Sequence, residues 1–379
     1  MRASPDPVLR ALLRGDDTVS GDAAAWRRAA AAARAEHLEP WLLRRLADTA
    51  TPVPDDIRDD LRRELRDANR RLTARTLALS TELATILRAL ERAGIACAPL
   101  RGIALAERLY DDVCARPAGD IDLLVRRADL DAVETTLGAL GYRAVDRRAG
   151  FAREFSYTLE MARDAHGGVV VEPHWTLAYP PFVDALDMAR VWARCRPGRV
   201  TGQSALLLAS EALLLNLCLH LVHKAPHVPL LWLLDVDRLV RREAGTIDWD
   251  ELCMLARGAR VGRQAALALH AVATVLGTPV PPAAMEALGG AAGGPLDLLL
   301  GPGVAVDGRE SLALLFALRG VRKRARYAAA LLVPSPAFMA VEYGVSGRGA
   351  LARAYGRRAR HLVWEGLKGT ARLLAGTVV

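Results

Sequence analysis

Hydrophobic residues recur at helical spacing along most of the chain, and this pattern is interrupted near the middle. The longest predicted helix follows Pro52 and Pro54, continues to about Arg92 and carries leucines and isoleucines along one face. Residues 8–47 predict two shorter helices, separated by Gly15 and Gly21. Beyond about residue 184 the spacing predicts helices again, at 204–224, 230–244, 249–257, 262–276, 282–288, 309–332 and 348–374.

Short apolar runs alternate with helical segments between residues 95 and 175. The predicted strands are 95–100, 120–125, 142–145, 154–159 and 168–172, with helices at 103–110 and 128–140. We therefore predict an α+β protein, a small mixed β-sheet core flanked by N-terminal helices and a large C-terminal helical region. The predicted boundaries are 1–93, 94–183 and 184–379.

The composition is that of a globular protein, because 52% of residues are hydrophobic and 25% are charged. A net charge of +8 favours acidic partners such as nucleotides without choosing among them. The basic helices lack interleaved aromatic residues, so nucleic acid is not an expected partner. The last basic helix would suit a membrane surface, but we expect it to pack on other helices. Five scattered cysteines, with no long apolar run, favour reduced thiols in the cytoplasm.

Two acidic residues introduce the apolar strand predicted at 120–125. Asp120 and Asp122 are two apart, so in a strand they project from one face with Cα atoms about 6.5–7 Å apart. Two carboxylates beside a buried strand repel each other and lose hydration, and a divalent cation offsets both costs. The alternative is a pair of surface acids, but we interpret the pair as a Mg²⁺ site.

A turn with a cation and a third acid accompany this pair. A helix is predicted directly after Arg101 and Gly102, an arrangement that offers backbone N–H groups to a phosphate. Glu172 ends another apolar strand, although a strand-end acid could instead pair with an arginine. Arg116 could reach a phosphate or pair with Asp111 or Asp112. A phosphate-binding turn and three carboxylates are the parts needed for two-metal nucleotidyl transfer.

Motifs in this region resemble a known family. They are the run from Leu100 to Tyr110, Arg116-Pro117 followed by Gly119-Asp120-Ile121-Asp122-Leu123-Leu124-Val125, Glu172-Pro173-His174-Trp175, and a histidine-rich helix end followed by Trp232-Leu233-Leu234-Asp235. The pattern, over about residues 80–245, resembles the uncharacterised nucleotidyltransferase family of the DNA polymerase β-like superfamily. The resemblance implies that fold and metal-dependent transfer of a nucleotide from an NTP, with two Mg²⁺ ions.

The same resemblance implies roles for particular residues. Asp120, Asp122 and Glu172 would bind the metals, and Arg101 and Gly102 would lie near the triphosphate. The acceptor it suggests is a small molecule or a peptide, in natural-product or polysaccharide biosynthesis. Relatives usually have lysine at position 101 and a hydroxyl after the glycine, which here is followed by Ile103. The alternative is therefore a catalytically degenerate module of this fold that binds a nucleotide or a partner.

Histidines and a second acidic pair form further candidate sites. His220, His223 and His227 lack a neighbouring cysteine or acid to complete a zinc site, so we expect the helix end, with Lys224, to face nucleotide or acceptor. We expect His174 to contact substrate or core rather than Mg²⁺, which prefers oxygen. Asp235 and Asp237 repeat the acidic spacing in a predicted helix, where residues two apart point about 200° apart and cannot form the same clamp.

Overall fold

The structure is a computed structural model, and it describes most of the chain. The described residues are 6–16, 19–48, 51, 53–110, 112–145, 150–163, 168–223, 228–289, 315, 318 and 320–374, without the side chains of 337, 341 and 365–374.

Among the described residues, four helices precede the sheet. Residues 8–47 form three helices instead of the two predicted, because the chain turns at His37, whose φ is 57°. Pro40, in the first turn of the next helix, lacks an N–H and cannot continue the previous one. Asp22 accepts a hydrogen bond from the Ala25 N–H and caps the second helix. The bounds are α1, Pro7–Arg14; α2, Ala23–Ala35; α3, Glu39–Ala47; and α4, Asp55–Arg92.

A mixed sheet of five strands follows, and it confirms the predicted fold class. The strands lie in the order β1-β2-β5-β4-β3. The central neighbours β2 and β5 are parallel, and the other pairs are antiparallel. The strands are β1, Cys97–Pro99; β2, Ile121–Val125; β3, Arg143–Ala144; β4, Met161–Ala162; and β5, Val170–His174.

Helices α5 (Ile103–Leu109) and α6 (Leu130–Ala139) follow β1 and β2 as predicted, but the strand predicted at 154–159 is wrong. A short helix, α7 (Phe151–Phe155), occupies its first residues, and a single bridge at Thr158 is its remaining strand character. Phe151 and Phe155, four apart, contact each other with ring centroids 5.1 Å apart and an interplanar angle of 52°, and both contact Tyr327. Helical spacing brings both rings to one partner, which a strand would not allow.

A β-hairpin lies where the sequence pattern predicted helix alone. Its strands are β6 (Arg196–Val200) and β7 (Gln203–Leu207), so the predicted helix at 204–224 begins only at Ser210. Thr201 and Gly202 connect the strands with φ values of 51° and 74°, as a two-residue hairpin turn requires. The Thr201 N–H also donates to the Glu107 carboxylate, which ties the turn to α5.

The remaining elements of the described residues are helices, and two of them, at 188–193 and 336–342, were not among those predicted. They are α8, Met188–Ala193; α9, Ser210–His223; α10, Leu230–Arg242; α11, Trp249–Gly258; α12, Gly262–Leu276; α13, Pro282–Gly289; α14, Val321–Leu332; α15, Pro336–Glu342; and α16, Arg348–Leu374. Of the helix predicted at 309–332, Val321–Leu332 is helical and follows Gly320, whose φ is 92°. Leu315 is also helical, and residues 309–314, 316–317 and 319 lie outside the described residues. Within the described ranges no helix is long and apolar enough to cross a lipid bilayer.

Among the described residues, two large hydrophobic clusters organise this architecture, and a small third one joins Phe155, Leu318 and Tyr327. The larger joins α1–α3 and the first part of α4 to α9–α13, and Arg14 links these groups by donating to the carbonyl of Val275 at 2.9 Å. The second lies around the sheet and includes the later part of α4, β2, α6 and residues of the hairpin such as Val200. Thus α4 contributes to both cores. The domain boundaries at 93 and 183 remain predictions.

Candidate carboxylate site

The register of the two parallel strands places two predicted acids side by side. Asp122 on β2 pairs with Glu172 on β5, and strand alternation puts His174 on the same face as Glu172. Ligand atoms of these three residues lie within 4.8 Å of one another, so the cluster could hold a metal ion. Asp122 is buried, whereas the Glu172 side chain keeps 26% of its exposure. The cluster therefore opens to solvent on the Glu172 side.

Asp120 lies just before β2, in an exposed bend. Its carboxylate is not among the atoms of the close cluster within the described part of the chain. Its charge nevertheless raises the pKa values of both Glu172 and Arg101, so it lies near them. Arg75 of α4 fixes the bend by donating to the Gly119 carbonyl at 2.6 Å. Asp120 thus borders the cluster formed by Asp122, Glu172 and His174.

Arg101 binds the central carboxylate directly. Its Nε lies 2.9 Å from Asp122 Oδ2 and its Nη2 lies 2.7 Å from Oδ1, which makes a bidentate ion pair. His174 Nε2 lies 2.9 Å from the same Oδ1, and it carries the proton of this bond because an ionised carboxylate only accepts. Arg101 Nη1 lies 2.8 Å from His220 Nδ1, which must accept because a guanidinium only donates. His220 is therefore neutral in this arrangement.

The carboxylates of the cluster differ in acidity because of these contacts. Burial acts to raise the pKa of Asp122, but the charge of Arg101 and hydrogen bonds from His174 and Arg101 hold it well below its usual value. Burial, followed by the charges of Asp122 and Asp120, raises the pKa of Glu172 to about 7. Glu172 is thus a carboxyl group that exchanges a proton near neutral pH, beside one that stays ionised.

Gly102 shapes the turn between β1 and α5. Its φ of 57° and ψ of −119° are open to glycine and costly for any residue with a Cβ. A Cβ there would also lie 3.4 Å from the carbonyl oxygen of Asp120. The turn therefore runs directly against the start of β2, so that its Arg101 side chain reaches Asp122.

Arg116 has a different partner from those considered in the sequence. It is buried and forms a bidentate ion pair with Asp235 of α10, in which Nη2 lies 2.8 Å from Oδ2 and Nε lies 3.0 Å from Oδ1. Tyr110 also donates to Asp235 Oδ1, at 2.8 Å. Asp112 accepts instead from Arg44, at 3.0 Å. Arg116 therefore links the segment before β2 to α10.

The remaining predicted groups fall partly outside the described residues. Lys224 and His227 lie in residues 224–227, which are outside the described residues. Asp235 and Asp237 both lie on α10, as predicted, and Asp237 pairs with Arg241 at 2.7 Å. His223 stacks on Tyr179 with centroids 4.5 Å apart.

Sequence reasoning missed one member of this region. The ring of Tyr157 lies 5.4 Å from that of His174. It lies within the misassigned strand at 154–159 and belongs to none of the motifs, so no sequence signal pointed to it.

Comparison with known proteins adds a family assignment. The family model described as "Uncharacterised nucleotidyltransferase" matches residues 22–277, more than half of the chain. None of the curated proteins matches. A solved structure, that of the antibiotic-resistance factor ANT(2″)-Ia in solution, is 18% identical and covers 52% of this chain and 97% of its own, with a TM-score of 0.37. A likeness at this level carries no argument about function.

Proposed function

Because the chain belongs to the family of uncharacterised nucleotidyltransferases, as its motifs predicted, we propose that it transfers a nucleoside monophosphate from an NTP to a small-molecule or peptide acceptor. The observation that carries this proposal is the register of β2 and β5, which sets Asp122 opposite Glu172 beside an exposed Asp120. Carboxylates held together in this way favour a bound cation. A pathway for natural-product or polysaccharide synthesis is part of the proposal and rests on the motif resemblance.

The donor set suits a hard divalent cation such as Mg²⁺. Asp122 and Glu172 offer carboxylate oxygens within 4.8 Å, and Asp120 lies near them. Both oxygens of Asp122 accept from Arg101, but a carboxylate oxygen has a second lone pair, and Oδ2 keeps one beyond that bond. We therefore assign Asp122 and Glu172, with Asp120 beside them, as the residues that would hold Mg²⁺. When bound, the metal would neutralise charge on the phosphates and the attacking oxygen.

The protein groups have separate parts in the reaction. The acceptor hydroxyl forms a bond to the α-phosphorus, the bond from that phosphorus to the bridging oxygen breaks, and pyrophosphate leaves. Glu172 is the carboxylate that would take the proton of the hydroxyl; its raised pKa of about 7 holds for the metal-free cluster, and a bound cation would lower it so that the carboxylate is ionised at neutral pH. Arg101, at the turn before α5, is the cation placed to bind the triphosphate. Arg116 serves to hold the chain, through Asp235.

A transfer assay tests this proposal. The protein is incubated with Mg²⁺, each α-labelled NTP and a panel of hydroxyl acceptors, and label transfer is measured together with pyrophosphate release. We expect transfer by the wild type and its loss in Asp122→Asn and Glu172→Gln. Asp112→Asn is the matched control, because Asp112 is exposed and pairs with Arg44 outside the cluster. Equal Mg–NTP binding by wild type and Asp122→Asn would refute the site assignment.

A second function is a binding module that holds a nucleotide without turnover. The ion pair between Arg101 and Asp122, in which a protein cation already neutralises the central carboxylate, favours it. The absence of a hydroxyl after Gly102 also favours it, since residue 103 is isoleucine. Tight Mg–NTP binding with no pyrophosphate release for any acceptor would support the module over the enzyme.

A further inference from the structure

Four half-buried rings form two pairs, one beside Arg101 and one beside His174 of the carboxylate cluster. His220 contacts the Arg101 guanidinium, and the ring of Trp232 lies 4.2 Å from that of His220 at an interplanar angle of 54°. Tyr157 and His223 form the other pair, with centroids 5.9 Å apart. All four keep partial exposure beside charged groups. Partly exposed aromatic rings around a charged site are a common feature of ligand pockets.

The two pairs differ in what their rings already contact. Tyr157 meets His174 and His223, and His223 in turn stacks on Tyr179 with an interplanar angle of 25°. Among the described residues, the ring contact of Trp232 is with His220 alone. Trp232 is half-buried and has the largest ring system of the four, so its indole can offer a face to a planar ligand.

Local structure fixes the position of this indole. Trp232 lies in the first turn of α10, and its backbone N–H donates to the carbonyl of Pro229 at 3.1 Å. His220 lies in the last turn of α9, so the two helix ends meet beside Arg101. The inner part of Trp232 packs on the main hydrophobic core. A ring held in this way loses little conformational freedom when a ligand stacks on it.

We propose that the indole of Trp232, backed by His220, is the surface on which the nucleobase of the NTP stacks. This inference rests on the proposed function, because it assumes that the triphosphate lies at Arg101. The contact from Arg101 through His220 to Trp232 then runs from phosphate to base. Stacking is tolerant of base identity because every base presents a π-face. The site therefore binds nucleotides through the ring and distinguishes them from bare polyphosphate.

Calorimetric binding of two ligands tests the inference. In Mg²⁺, the dissociation constants of an NTP and of inorganic tripolyphosphate are measured for the wild type, Trp232→Leu and Trp232→Phe. We expect the wild type to bind the NTP about tenfold or more tightly than tripolyphosphate. Trp232→Leu should lose this preference without weakening tripolyphosphate, and Trp232→Phe should keep most of it. Trp249→Leu is the matched control, since Trp249 is half-buried in the first turn of α11 and should keep the full preference.

Each other outcome has a defined meaning. If Trp232→Leu keeps the wild-type preference, or if the wild type has none, the stacking site is wrong. If tripolyphosphate still binds and depends on Asp122 in that case, the proposed function stands. If the wild type binds neither ligand, the proposed function fails, and the stacking site fails with it.

Discussion

Arg101 and Asp122 form a buried bidentate ion pair, with Nη2 2.7 Å from Oδ1 and Nε 2.9 Å from Oδ2. Asp122 is also the central carboxylate of the candidate metal site. The guanidinium and a divalent cation therefore compete for the same negative charge. Since Arg101 also lies at the predicted phosphate turn, its transfer from Asp122 to the nucleotide would couple phosphate binding to metal binding.

This competition predicts that removing Arg101 strengthens metal binding in the absence of nucleotide. In Arg101→Met the Asp122 carboxylate loses its main partner, so its negative charge is available to bind a cation. We expect Mn²⁺, followed by electron paramagnetic resonance, to bind about tenfold more tightly than to the wild type. Without metal, the free energy of unfolding should fall by about 3–5 kcal/mol. Arg108→Gln breaks the ion pair with Glu243 instead and should leave Mn²⁺ affinity unchanged. Unchanged or weaker Mn²⁺ binding by Arg101→Met would contradict the competition.

We predict that replacing Glu172 with glutamine stabilises the protein at alkaline pH and not at acidic pH. Burial and the charges of Asp122 and Asp120 raise its pKa from the usual 4.5 to about 7. Its contribution to stability is therefore fully present below pH 4.5 and is lost as the pH rises through about 7. Glu172→Gln, which stays neutral, should match the wild type at acidic pH and exceed its unfolding free energy by ~3 kcal/mol at alkaline pH.

Urea denaturation at several pH values, without divalent cations, measures this difference. Added Mg²⁺ should stabilise the wild type and so reduce the difference in unfolding free energy between the two proteins at alkaline pH. Glu91→Gln is the control, because Glu91 is an exposed acid near the end of α4 and its charge is not among the causes of the Glu172 shift. A stability difference between wild type and Glu172→Gln that does not change with pH would contradict the assigned pKa shift.

We predict that removing the buried carboxylate of Asp235 strongly lowers the stability of the protein. Asp235→Asn leaves the buried Arg116 without its charge partner, which costs about 3–5 kcal/mol in the free energy of unfolding. Tyr110→Phe removes one hydrogen bond to the same carboxylate and should cost only about 1 kcal/mol. Thermal and urea unfolding of both variants measure the comparison. Equal losses would show that the ion pair contributes no more than the hydroxyl.

We predict that a side chain at position 102 strains the backbone of the turn beside β2. Alanine there must adopt a φ of 57° and a ψ of −119°, which costs about 1–3 kcal/mol. Gly15→Ala is the matched control, because Gly15 ends α1 in the ordinary left-handed region, where alanine costs about 1 kcal/mol. Gly102→Ala should also weaken Mg–NTP binding, whereas Gly15→Ala should not. If Gly102→Ala and Gly15→Ala bind Mg–NTP with equal affinity, the turn at Gly102 takes no part in nucleotide binding.

The parts of the site that follow from local sequence were predictable. Asp122 and Glu172 each lie in an apolar run with strand character, and the motif pattern indicated that the two strands meet. The Arg101–Asp122 and Arg116–Asp235 pairs were not assigned, because spacing along the chain does not choose among 51 lysines and arginines for a partner. Such pairs depend on how α5, α9 and α10 pack. Asp120 was predicted as an equal ligand, and its outer position depends on where β2 begins.

The fold was predictable to a similar depth. The long amphipathic helix α4 and the alternation of strands with helices gave the class, because their hydrophobic periods are clear. The hairpin β6–β7 was missed because its second strand, Gln203–Leu207, runs directly into the apolar pattern of α9. Helix α7 was missed because Phe155 and Tyr157 favour strand by composition, while the contact with the distant Tyr327 selects a helix.

The central claim is that Asp122 and Glu172 together bind a divalent cation that also holds the nucleotide. A crystal structure with Mn²⁺ and a non-hydrolysable NTP, with anomalous scattering to locate the metal, tests it most directly. We predict an anomalous peak at about 2.0–2.2 Å from carboxylate oxygens of both residues and in contact with a phosphate oxygen, with Arg101 turned from Asp122 to the phosphates. An NTP bound elsewhere, or a peak that contacts neither carboxylate while Arg101 keeps its ion pair with Asp122, would contradict the account.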